Sequence, residues 1–138
     1  MINLKNIQYQ ISPKTILENI NLNIKEGKTT VIMGKNGSGK STLLKLINQI
    51  IKPSSGFFES TLSKPVPMLF QKPLILQNSV NYNYQILQKI KKHQINHFWF
   101  KKFDLSNLSN QKMNSLSEGE KQKIFISRIM SFDQSQLF

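Results

Sequence analysis

The chain has 138 residues, no cysteine and a formal charge of +12, which bounds it to one domain or part of one without disulfides or thiolate metal sites. No run approaches eighteen apolar residues and Met1-Ile2-Asn3-Leu4-Lys5 has no apolar h-region, so neither a transmembrane helix nor a secretory signal is expected. The positive charge is lysine spread along the chain, apart from Lys89, Lys91 and Lys92 and the pair Lys101–Lys102, with Arg128 the only arginine. That pattern predicts a solvated basic surface and no nucleic-acid partner, with attraction to anionic lipid as a lesser reading.

Asn3 to Tyr9 alternates like a strand through Leu4, Ile7 and Tyr9. Ile16 to Ile24 gives a cleaner period of two, with Ile20, Leu22 and Ile24 on one face. Lys25-Glu26-Gly27-Lys28 reads as a turn, so the opening is a small antiparallel β element. Thr29-Thr30-Val31-Ile32-Met33 is β-branched and apolar and predicts a further strand.

That run leads into Gly34-Lys35-Asn36-Gly37-Ser38-Gly39-Lys40-Ser41-Thr42, a match to G-x-x-x-x-G-K-[ST], the phosphate-binding loop of nucleotide hydrolases. Glycines let successive N–H groups turn toward an anion. Lys40 can reach the β and γ phosphates and the Ser41 hydroxyl can ligate Mg²⁺. A helix expected over Thr42–Ile47 would point its positive dipole end at the same phosphates. The same residues would also make an ordinary glycine-rich turn; the strand–loop–helix context favours the phosphate loop.

Lys52-Pro53-Ser54-Ser55-Gly56 breaks the chain. Phe57 to Ser63 and Val66 to Gln71 are expected as short strands, the second ended by Lys72-Pro73. From about Ser79 the pattern turns helical: Tyr84, Leu87 and Ile90 recur at three-residue steps, and Ile95, Phe98, Trp99 and Phe103 fit one helical face that predicts core packing. His93 and His97 stand at i and i+4, but with no carboxylate or cysteine beside them they predict a solvated pair rather than a metal site. Further on, Ser117 and Glu120 have capping-box spacing. A helix over Glu118–Met130 would carry Phe125, Ile126, Ile129 and Met130 on one side.

The phosphate loop at 34–42, Phe70-Gln71 and Leu116-Ser117-Glu118-Gly119-Glu120 come in the order seen in ATP-binding cassette (ABC) domains. Over essentially its whole length the chain resembles the amino-terminal part of such a domain. The resemblance implies an α/β fold: an incomplete P-loop NTPase core with an amino-terminal antiparallel β element and a helical subdomain. Residues 1–71 would be the β element and core, 72–115 the helical subdomain, and 116–138 the signature and its helix. It implies ATP and Mg²⁺ as ligands. Tyr9 would stack on adenine, although an ordinary half-buried strand aromatic is the alternative. Gly34, Asn36, Gly37, Ser38, Gly39, Lys40, Ser41 and Thr42 would hold the nucleotide. Lys40 and Gln71 would be catalytic, with Ser41 and Gln71 serving the magnesium. Ser117, Gly119 and Glu120 would contact the triphosphate of a second ATP-binding subunit in a homodimer. Transmembrane permease subunits are the other partners implied, placing the protein in the cytoplasm, peripheral on the inner face of the cell membrane.

Two departures bear on these roles. Glu118 replaces the first glycine of the usual signature and puts negative charge near a docking triphosphate. In the family an apolar strand ending in Asp-Glu follows, with a histidine later. Residues 1–138 alone are therefore expected to bind nucleotide without hydrolysing it. They are also expected to leave Val31 and Ile32 exposed and to be marginally stable or aggregation-prone. The implied function is the ATPase subunit of a transporter, with Leu69 to Val80 similar to importers of oxyanions such as tungstate, molybdate or phosphate. The alternatives are a truncated remnant that only binds nucleotide, or a non-transport ABC ATPase. The absence of sustained heptads between Thr42 and Leu116 argues against the chromosome-maintenance members of the latter.

Overall fold

Alternating apolar residues draw the amino terminus into a hairpin of β1 (Ile2–Ile11) and β2 (Lys14–Ile24), closed by Ser12-Pro13. A computed structural model of the chain describes residues 1–61, 66–90, 92, 94 and 96–131. It divides into two units, one running from Met1 to Val66 and the other beginning at Pro67.

In the first unit β3 (Ser55–Ser60) joins the free side of β1, giving the antiparallel order β2-β1-β3. Ile2, Leu4 and Ile7 of β1 and Leu17 and Ile24 of β2 form a core with Leu43, Leu46 and Ile47 of helix α1 (Lys40–Ile47). Leu4 and Ile7 are three apart, so strict alternation would put them on opposite faces. A register shift at left-handed Asn6 (φ 50) absorbs the extra residue and returns Ile7 to the core. The Asn21 side chain satisfies the disturbed backbone: it accepts the Asn6 N–H at 2.9 Å and donates to the Asn19 carbonyl at 3.1 Å. Gly56 (φ 98) is needed opposite this bulge, because a Cβ there would lie 2.5 Å from the Asn6 carbonyl oxygen.

The two apolar runs expected as strands, Thr29–Met33 and Val66–Gln71, are not strands. A strand exists only through a partner that takes its N–H and C=O groups. β1 already has a neighbour on each side, and no described segment pairs with either run. Val31 and Met33 are 74% and 86% exposed, as expected for Val31. Ile32, expected exposed as well, is instead half-buried against the first core. Val66 is held by the buried Asn48 side chain, which accepts the Val66 N–H and donates to its carbonyl, both at 2.8 Å. β3 begins at Ser55 rather than Phe57, and 62–65 lie outside the described residues.

The second unit is helical: α2 (Val80–Ile90), α3 (Phe98–Lys102) and α4 (Glu118–Met130). Val80 and Tyr84 of α2, Phe100 of α3, and Ile124 and Phe125 of α4 meet Leu105, Met113 and Leu116 in its core. On each helix the buried residues differ from the row that the sequence pattern picks out. On α2 the buried row is Val80, Asn83, Tyr84 and Gln88, while Leu87 and Ile90 are exposed. A three-residue step turns about 300°, so two steps carry Ile90 about 120° around the helix from Tyr84. On α3 the buried aromatic is Phe100, stacked on Tyr84 with ring centroids 4.7 Å apart, and Phe98 is exposed; Ile95 lies outside the described residues. On α4 Ile124 and Phe125 turn inward, Ile126 is exposed, and Ile129 and Met130 are half-buried.

Polar ties fix α2 as firmly as apolar contact does. Buried Asn83 accepts the Leu76 N–H at 2.9 Å and donates to the Leu76 and Ser79 carbonyls at 3.0 Å each. Buried Gln88 accepts the Asn96 N–H at 2.9 Å and donates to the Ser131 hydroxyl at 2.6 Å. Each satisfied amide escapes the penalty of an unpaired buried polar group.

Candidate functional site: two helix amino termini

The glycine-rich segment sits at the start of α1. Gly39 is its first flanking residue and adopts the left-handed conformation (φ 87), with no side-chain cap and no acidic residue in the first turn. No side chain of the cap residue takes up the N–H groups that open the helix. Gly39 also has no room for a Cβ, which would lie 2.8 Å from Leu17 Cδ2 and 3.0 Å from the Ile16 carbonyl oxygen. β2 therefore presses directly on the loop. The helix begins at Lys40, two residues before the expected Thr42. The Lys40 ammonium folds back and donates to the Gly34 and Lys35 carbonyls at 2.8 and 2.7 Å. A loop that holds its own cation against its carbonyls presents positive charge at the place where the N–H groups converge.

Asn36 and Gly37 form the exposed tip, and the Ser38 N–H donates to the Lys35 carbonyl at 3.2 Å. Ser41 is exposed on the first turn of α1 and Thr42 is half-buried beside it. Tyr9 is half-buried on β1 against the first core, paired across the hairpin with Leu17, the residue that abuts Gly39. The contact from β2 had no counterpart in the residue pattern, since only the folded hairpin brings Ile16 and Leu17 to the loop.

The start of α4 is arranged the opposite way. Ser117 caps it, its hydroxyl oxygen accepting the Glu120 N–H at 3.3 Å. The Glu120 carboxylate in turn accepts the Ser117 N–H at 2.8 Å and its hydroxyl at 2.7 Å. This is the capping box that the spacing predicts. Those bonds, from the Ser117 hydroxyl first and its N–H second, hold the Glu120 carboxyl below its ordinary range. Gly119 leaves open space where a Cβ would stand. Glu118 points to solvent, its side chain 85% exposed, and pairs with Lys121 at 2.7 Å. Its charge is thus answered within its own helix, by an i,i+3 pairing that the spacing carries.

Gln71 is exposed in the second unit. His97 is half-buried, its ring 5.8 Å from Tyr84 and 6.1 Å from Phe100. His93 lies outside the described residues.

A glycine loop, an uncapped helix start and a lysine closed upon the loop are the arrangement of the P-loop class. The chain belongs to the ABC transporter family, whose model matches residues 17–138. It is 37% identical to the zinc import ATP-binding protein ZnuC of Psychrobacter cryohalolentis, over 94% of this chain and 55% of that protein. It is 31% identical to the hemin import ATP-binding protein HmuV of Photobacterium damsela subsp. piscicida, over 91% of this chain and 54% of that protein. The chain spans about half the length of the curated relatives it matches. Among solved structures it superposes on a dimeric ATP-binding cassette bound to ADP and Pi, with a TM-score of 0.74 and 27% identity over 95% of this chain and 69% of that one. It also superposes on cbiO1 of Clostridium perfringens, part of an ABC transporter complex, with a TM-score of 0.72 and 26% identity over 94% of this chain and 61% of that one. The fold class is therefore the α/β P-loop cassette, here with its antiparallel β element and helical part in place.

Proposed function

We propose that the chain supplies the nucleotide grip of an importer's energy-coupling ATPase. The observation that carries this is the pairing of an uncapped α1 amino terminus with a Lys40 ammonium poised on the loop's own carbonyls. Exchanging carbonyl dipoles for a triphosphate satisfies Lys40 with full negative charge and gives the N–H groups of 39–42 an acceptor. Ser41 and Gln71 offer neutral oxygens only, a donor set suited to Mg²⁺ that arrives with phosphate charge already on it. When bound, that ion would neutralise the β and γ oxygens; Ser41 would hold it, and Gln71 is assigned its share on family membership. Tyr9 is proposed as the adenine platform because it lies one cross-strand pair from the residue that abuts the loop.

The division into 1–71, 72–115 and 116–138 belongs to the same reading. Ser117, Gly119 and Glu120 are proposed to meet the triphosphate of a second subunit, and permease subunits to complete an assembly on the inner face of the membrane. For the whole protein the reaction is ATP hydrolysis coupled to import; residues 1–138 contribute the binding. The names of the relatives favour a zinc-like or hemin-like cargo over the oxyanion expected from Leu69 to Val80.

Titration of the chain with ATP and Mg²⁺, followed by calorimetry, tests the grip. Lys40→Ala is expected to weaken binding by about tenfold to a hundredfold, the weight of one or two charge-assisted hydrogen bonds. Unchanged affinity in that variant would sink the assignment.

A further inference from the structure

From Pro67 to Phe103 the sequence holds six lysines (Lys72, Lys89, Lys91, Lys92, Lys101 and Lys102) and no Asp or Glu. α3 lies inside this acid-free stretch and spends only Phe100 on the core. Phe98 is 58% exposed and meets the Trp99 ring edge-on at 5.2 Å, and Trp99 leans on Phe103 at 6.2 Å. The Lys102 ammonium stands 5.7 Å from the centroids of both Phe98 and Trp99. Lys101 is exposed beside it. Buried Tyr84 and Gln88 both bond to Asn96, so the carboxyl-terminal end of α2, with exposed Lys89 and Ile90, abuts the start of α3.

We infer that α3 and its flanking lysines form a contact surface for an anionic lipid bilayer. Aromatic rings gain by lying at headgroup depth, while lysines bury their stems and keep the ammonium among lipid phosphates. The charge is complementary: between Pro67 and Phe103 no Asp or Glu accompanies the lysines. A nucleic-acid partner fits less well, because the chain's only arginine is turned inward over the Phe125 ring at 4.9 Å and donates to the Asn83 carbonyl. The surface is independent of nucleotide binding, and losing one reading leaves the other intact.

Trp99 is the only tryptophan, so its fluorescence reports on this surface alone. The chain is mixed with vesicles of phosphatidylcholine, with or without phosphatidylglycerol, some carrying brominated acyl chains. The expected result is a blue shift and bromine quenching on phosphatidylglycerol vesicles only, lost at about 0.5 M salt. Lys101→Gln and Lys102→Gln are each expected to weaken partitioning roughly fivefold. Phe98→Ser is expected to remove the quenching with unchanged circular dichroism, since that ring is outside the core. Binding without a change at Trp99, equal binding to neutral vesicles, no binding, or the same shift with an oligothymidylate would overturn the inference.

Discussion

The two helix amino termini face the same electrostatic problem and answer it differently. α1 opens on Gly39 with no side-chain cap, and its lysine is parked on the loop's own carbonyls. α4 opens on Ser117 and fills itself with the Glu120 carboxylate. One start has no side-chain cap; the other holds a carboxylate of its own helix. Under the proposed function, a phosphate at α1 would displace neutral dipoles, whereas at Ser117 it would meet a carboxylate. The contrast extends to the units that carry them. The helical unit closes its core among α2, α3 and α4, while the first unit leaves Val31 and Met33 of the run before the loop exposed. Helices satisfy their own backbone; a strand of this kind must be completed by distant partners.

The sharpest test of this contrast is Tyr84→Ala. The ring is fully buried and bonded through its hydroxyl to the Asn96 carbonyl, so about 3–5 kcal/mol of stability should vanish in a urea melt. A loss below about 1 kcal/mol would mean that the helical core does not carry the unit's stability. Ser117→Ala removes the cap from α4 and is expected to cost about 1 kcal/mol, read as faster amide exchange in its first turn.

The filled terminus also predicts a pH dependence. Because the folded state holds the Glu120 carboxyl below its ordinary value of 4.5, the stabilisation is fully present above that pH. It fades as pH falls through the lower folded value, and Glu120→Gln should flatten the effect in α4 amide exchange measured from pH 6 to pH 2. An identical profile in that variant would remove the carboxylate from the account. The smallest effect is expected at Met33→Lys. At 86% exposure the substitution should leave the unfolding midpoint unchanged and reduce light scattering on concentration. A large loss of stability there would show that the run is covered after all.

Much of this was legible in the residues. The phosphate loop, the capping box and the opening hairpin are local patterns, in which spacing along the chain is itself the geometry. Family order, read from 34–42, Gln71 and 116–120, agrees with the family match. Other features were not legible because they depend on what lies across a gap in sequence. Tyr84, Leu87 and Ile90 recur at three-residue steps, but the row that α2 buries is Val80, Asn83, Tyr84 and Gln88. Phe100, flanked by larger apolar signals, was chosen for the core by its contact with Tyr84. Gly39 owes its requirement partly to Leu17, on a strand more than twenty residues earlier.

The sequence by itself determined the glycine loop, the hairpin and the capping box of α4, since each rests on backbone preferences and bonds within a few residues. Only the tertiary structure decided which strand-like runs become strands, which apolar residues are buried and where Lys40 rests. Those outcomes depend on partners, and partner choice is a property of the folded chain.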